Sequence, residues 1–212
     1  MNRWWGRRWL LRATVAVLAS TGLGAASRAA DLPPAPTAPL YAPTPTMDLI
    51  DPYRWELRGG VFAHGVGSVE EKTVDLNAEF VTPRILPWGR GEWWSIFVPR
   101  VQVGGMANLG GRTSYAYAGG LWTIPLFYGF FTDFFFGGAY AINATLVGSP
   151  TQVALGCNPL FHVGGEVGYA FTANWHAMVT FDHISDGNNV FGTNCTRNQG
   201  INDWGAKISY SF

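Results

Sequence analysis

His183 and Ser185 stand two apart in Phe181-Asp182-His183-Ile184-Ser185-Asp186-Gly187. On a strand, alternate side chains share a face. A base and a hydroxyl therefore project side by side, the minimum needed to activate a serine. They extend an apolar row of Trp175, Ala177, Val179 and Phe181, while His176, Met178, Thr180, Asp182 and Ile184 form the other face. Polar groups on a wall that meets lipid are costly without a role. The chemistry expected is ester hydrolysis on a membrane lipid, with Ser185 as nucleophile and His183 as general base. The plainer alternative is that the strand has already left the bilayer at residue 183 and both are rim residues.

The elements that must position this pair follow from period-two patterning. In Phe161–Phe171 apolar residues alternate with His162, Gly164, Glu166 and Gly168, and in Trp204–Phe212 with Gly205, Lys207, Ser209 and Ser211. One apolar face and one polar or glycine face is the strand signature. Strands are predicted over roughly 53–66, 73–83, 93–107, 112–126, 130–145, 159–171, 174–186 and 201–212. An even set of segments of about ten residues suits an all-β, eight-stranded antiparallel transmembrane β-barrel. The inward set would include Arg54, Glu56, Arg58, Asp75, Glu79, Asp133, Glu166, Asp182 and Lys207, whose first reading is a structural ion-pair network. A helical span over Tyr115–Ala144 is disfavoured by Pro125, Asp133 and the aromatics, which prefer strands. A soluble lipocalin-like barrel is disfavoured because outer charge is missing: the faces alternate to the charged set carry apolar residues and almost no Lys, Glu or Arg.

Composition agrees. Charged residues make up 13% of the chain, against about 25% in soluble domains, with 14 Phe and 10 Trp. The basic start (Arg3, Arg7, Arg8, Arg12), the apolar Ala13–Ala26 and the small residues at 27–30 form a signal-peptide pattern over 1–30. Residues 31–52 read as a Pro-rich linker, and 53–212 as the outer-membrane barrel. Cleavage after Ala29 or Ala30 leaves about −5 net charge, which argues against nucleic acid as a partner. Cys157 and Cys195, in an exported chain, are a possible disulfide. His64 and His162 are isolated in sequence and read as interior or rim residues. No metal set and no cofactor is expected.

His183-Ile184-Ser185-Asp186-Gly187, then Asn198-Gln199-Gly200-Ile201-Asn202, then the closing strand, resembles the outer-membrane lipid A 3-O-deacylases and the wider acyloxyacyl hydrolase-like group. As motif the likeness covers about the last thirty residues. It implies a serine-type carboxylic ester hydrolase in the bacterial outer membrane that removes the 3-hydroxyacyl chain at position 3 of lipid A, with lipopolysaccharide as substrate; a homodimer is compatible with it. Ser185 then looks like the nucleophile, His183 like the base, and Asn198 like an oxyanion-stabilising amide. Two departures stand out. Asp186 replaces the family's Asn after the serine, and Asn202 stands where the triad acid belongs. Asn202 and Asp186 are both candidates to orient the histidine. The alternative the departures favour is a non-catalytic structural barrel of the same shape. A narrow pore is a weaker alternative, since an eight-stranded interior fills with side chains.

Overall fold

The computed structural model describes residues 49–86, 90–143, 145, 147–187 and 199–212. The signal-peptide expectation and most of the linker therefore lie outside the described residues. The alternating segments form strands β1 (Glu56–His64), β2 (Thr73–Arg84), β3 (Arg100–Asn108), β4 (Ser114–Pro125), β5 (Phe130–Ile142), β6 (Leu160–Ala170), β7 (Trp175–Ser185) and β8 (Ile201–Ser211). Each pairs antiparallel with its sequence neighbour, and β8 returns to β1, closing the barrel in the order β1 to β8. Closure removes the sheet edges that an open sheet would leave unpaired.

Polarity is inverted relative to a soluble domain. Every Asp, Glu, Lys and Arg within the strands is buried. The outward positions carry Leu57, Val61, Leu76, Phe80, Val103, Phe134, Phe136, Val167, Val179 and Ile208, all exposed. Inside, Arg58 meets Glu56 at 3.0 Å, Asp133 at 2.8 Å and Glu166 at 3.2 Å. Lys207 bridges Glu166 at 2.8 Å and Glu79 at 3.1 Å, and Arg100 meets Glu56 at 2.7 Å. These groups come from β1, β2, β3, β5, β6 and β8, so one ionic network joins most of the wall. A buried ion is tolerated only when its neighbours replace water. Three buried phenylalanines share this interior, and inward glycines make room for them. A Cβ at Gly168 would stand 2.2 Å from the Phe131 ring, and one at Gly164 or Gly205 would stand 2.4 Å from the Phe135 or Phe62 ring.

The structure departs from the sequence reading in four places. The third strand begins at Arg100, not 93; Trp93–Phe97 is a 3-10 turn. Its aromatic residues have strand-like composition but lie outside the ladder. Arg54 is half-buried at the rim, donating to the carbonyls of Ala173 and Ser211, and is not part of the central network. Within the stretch read as linker, Ile50 packs with Phe131, Ala170 and Met178 at the barrel end, with Leu49 against them. Finally, closure gathers a set that sequence spacing concealed: His64, Asp75 and Asp203, from β1, β2 and β8, place ligand-type atoms within 4.8 Å of one another. His64 Nδ1 lies 2.8 Å from Asp75, and Nε2 lies 3.1 Å from Glu70. This is the geometry of an imidazolium held between carboxylates.

Removing Lys207 as Met would leave Glu79 and Glu166 facing one another with one cation fewer. The expected cost is about 3–5 kcal/mol. Denaturant unfolding of the barrel from detergent or vesicles measures it, and an unchanged midpoint would contradict the network's role.

Candidate functional site

Parity along β7 decides which residues reach the outer wall. Asp182 and Ile184 are buried inward, while His183 and Ser185 are half-exposed on the outward face. Their Cα atoms are about 6.6 Å apart, two strand residues on. Across the β7–β8 ladder His183 pairs directly with Asn202, so their side chains are same-face neighbours. His183 Nδ1 stands 2.7 Å from Asn202 Oδ1. An amide oxygen in that position accepts from Nδ1–H, which leaves Nε2 as the basic nitrogen. Of the two residues expected to orient the histidine, Asn202 is thus in hydrogen-bond contact with it. Asp186 is buried at 2% exposure, continuing the inward row of Asp182 and Ile184. Asn198, the oxyanion candidate, and Cys195 lie outside the described residues. Cys157 is disulfide-bonded.

Gly200 shapes the other side of the imidazole. Its φ is +61°, and a Cβ there would stand 2.8 Å from His183 Cε1 and 3.4 Å from Nε2. The backbone at 200 therefore passes directly against the ring, which only glycine permits at that conformation. The loop leading to it is clamped. Gln199 N–H donates to the Ala154 carbonyl at 3.0 Å, and its side-chain oxygen accepts from Ala154 N–H at 2.8 Å. Val66 N–H donates to the Asn202 carbonyl at 2.8 Å.

One residue away from Ala154, the loops converge on Glu70. Its carboxylate accepts from Val153 N–H at 2.9 Å, Thr113 N–H at 2.9 Å, the Thr113 hydroxyl at 3.1 Å and His64 Nε2 at 3.1 Å. Glu70 thus ties the β1–β2, β3–β4 and β5–β6 connections together, and Ala154 carries the tie to Gln199 beside the site. Burial pushes the Glu70 carboxyl up, but the bonds from His64, Thr113 and Val153 outweigh it and hold it down at about 2, against an ordinary 4.5. Sequence reasoning missed this hub because its partners are far apart along the chain and follow no period.

Below the pair, the wall is aromatic and aliphatic. Ser185 pairs with Phe161 and His183 with Val163 on β6, and Phe181 packs against Trp204 at 4.8 Å between ring centroids. On the outward faces of the eight strands, the side chains of His183, Ser185 and Asn202 form a polar cluster at one end of an apolar surface. Most connections at that end are long (65–72, 143–159 and 186–200); at the other end 126–129 and 171–174 are short and 85–99 is long.

No protein-family model matches the chain, and a search of curated proteins finds no match. Among solved structures, the chain is similar to the outer membrane enzyme PagL, at 16% identity and a TM-score of 0.53, over 73% of this chain and 97% of that one. It is also similar to a de novo designed transmembrane β-barrel, at 13% identity and a TM-score of 0.48 over 77% and 98% of the two chains. A third likeness is to the N-terminal β-barrel domain of Pseudomonas aeruginosa OprF, at 10% identity and a TM-score of 0.48 over 76% and 98%. At such identity the likeness to PagL establishes the fold alone, that of an outer-membrane-type barrel.

Because the folded Glu70 carboxyl is depressed, its contribution is present above about pH 4.5 and is lost as pH falls toward about 2. The protection factors of the Thr113 and Val153 amides, each rate taken relative to intrinsic exchange at the same pH, should fall across that window in the native protein. In Glu70→Gln the exchange should already be fast at pH 6; equal protection in both proteins would contradict the hub.

Proposed function

We propose that the protein is a serine esterase of the bacterial outer membrane that removes the ester-linked 3-hydroxyacyl chain at position 3 of lipid A. The observation that carries the reading is the 2.7 Å contact between His183 Nδ1 and Asn202 Oδ1, on the outward face that Ser185 shares. The motif resemblance at 183–187 and 198–202 supplies the substrate class, and the likeness in fold to an outer membrane enzyme is compatible with it.

The chemistry follows from the placement. Ser185 Oγ attacks the ester carbonyl, and His183 Nε2 takes its proton. The tetrahedral intermediate collapses, the C–O bond to the sugar breaks, and His183 returns the proton to the departing alkoxide. Water, deprotonated by the same nitrogen, then attacks the acyl-serine; the acyl carbon–Oγ bond breaks, His183 returns the proton to Ser185 Oγ, and the fatty acid leaves. Asn198 is proposed to donate to the developing oxyanion. A site at the end of the strands, where hydrocarbon gives way to headgroups, meets the ester and water together. The wall of Phe161, Val163, Phe181 and Trp204 gives the acyl chain an apolar surface to lie along.

Asn202 favours a second reading. A neutral amide orients the imidazole but does not stabilise the imidazolium as a carboxylate does. A non-catalytic barrel that keeps the family's shape would also show this geometry.

Mass spectrometry of lipid A tests the first reading. Cells producing the protein should lack the 3-position acyl chain, and Ser185→Ala or His183→Ala should restore it. Unmodified lipid A with the native protein, both in cells and in detergent, would contradict the substrate. Asn202→Asp separates the two readings by adding the missing charge. Turnover should rise at least about tenfold, the direction opposite to the roughly 10⁴-fold loss when a triad aspartate becomes asparagine; no turnover in either form would favour the inert barrel.

A further inference from the structure

The barrel end opposite the candidate site carries a buried cation that no carboxylate contacts. Arg84, the last residue of β2, is 6% exposed. The other buried cations, Arg58, Arg100 and Lys207, each have a carboxylate within 3.0 Å. Among the described residues, no carboxylate pairs with Arg84. Its bonds go to neutral oxygens, the Ser95 hydroxyl at 3.0 Å and the Thr123 carbonyl at 2.7 Å, and its Nε has no acceptor. Arg100 stands opposite it in the β2–β3 ladder, which adds like charge. Burying an unneutralised guanidinium costs far more than burying a paired one.

Arg84 lines a cavity of about 460 Å³ that it shares with Tyr53, Ser95, Ile96 and Arg90. The buried Tyr53 hydroxyl stands close enough to interact with the Arg84 guanidinium. Both guanidinium groups approach the Tyr53 ring, at 5.7 Å from Arg84 Cζ and 4.9 Å from Arg90 Cζ to its centroid. Asp51 is the acid lining the cavity; it engages Arg90 at 2.8 Å, and the Arg90 side chain is 64% exposed. The cavity thus offers two cations and a phenol against one carboxylate already engaged. The 3-10 turn that supplies Ser95 and Ile96 turns Trp93 and Phe97 outward, at 75% and 65% exposure. Exposed aromatics at a barrel end mark the level of lipid headgroups.

From Arg84, which no carboxylate contacts, and the cavity it opens on, we propose that this end of the barrel binds a phosphate-bearing anion, either the headgroup of a phospholipid from the surrounding leaflet or inorganic phosphate. A phosphate would accept from Arg84 Nε, the Tyr53 hydroxyl and Arg90, a set of charge-assisted and neutral donors suited to phosphate oxygens. A lipid bound there would lay its chains beside Trp93 and Phe97.

Isothermal titration calorimetry of the whole protein in octyl glucoside tests this, with short-chain phosphatidylglycerol in one arm and sodium phosphate in the other. The expected result is saturable one-to-one binding, weakened about tenfold or more in Arg84→Gln. Tighter binding of the lipid assigns the source as a headgroup; tighter binding of the salt assigns free phosphate. Should Arg84→Gln fail to fold, Arg90→Gln and Tyr53→Phe carry the test from the cavity's more open side, each with several-fold weaker binding expected. Absence of saturable binding by both anions, or native affinity in the folded variants, overturns the proposal.

Discussion

The constraint on which the rest depends is that a closed sheet with hydrocarbon outside must settle all its charge inside. Arg58 and Lys207 do this by holding Glu56, Glu79, Asp133 and Glu166 in one network. Neither ion alone would be tolerable there. Together they let every strand present an apolar outward face and still pair its backbone around the full circle. The inward glycines belong to the same solution, because eight strands leave little room and Phe62, Phe131 and Phe135 need it.

Against that background, three outward polar side chains at one place are a cost that the fold does not require. His183, Ser185 and Asn202 contribute nothing to the ionic interior. Their mutual placement comes from parity along β7 and from the β7–β8 register. The loops at that end act on the same small region: Glu70 gathers three of them, and Ala154 and Gln199 pass the restraint to Gly200, which lies against the imidazole. Rigid support behind a polar pair on an apolar wall is what a catalytic constellation needs.

The alternating faces were legible because a membrane barrel makes the pattern coarse: charges such as Asp75, Glu79 and Lys207 fall on the inward parity and nowhere else. Trp93 to Phe97 misled because aromatic and β-branched residues serve the lipid interface as readily as a strand. Parity, with the near absence of charge on the apolar faces to set its direction, also put His183 and Ser185 outward and Asp182 inward. What could not be read was contact across the barrel. His64 meets Asp75 and Asp203 only once β1 lies between β2 and β8. The bonds of Glu70 to Thr113 and Val153 span loops whose sequence carries no period. Nothing in the residues around Arg84 signals that closure leaves it without a contacting carboxylate.

The central claim is that the Ser185 hydroxyl is activated by His183 on the outer wall. Intact-protein mass spectrometry after exposure of the folded barrel to a fluorophosphonate measures this most directly, with peptide mapping to locate the adduct. The account predicts one phosphonyl group, on Ser185, and no adduct in His183→Ala. A folded native barrel that stays unlabelled, or labelling that maps to another residue, would contradict it.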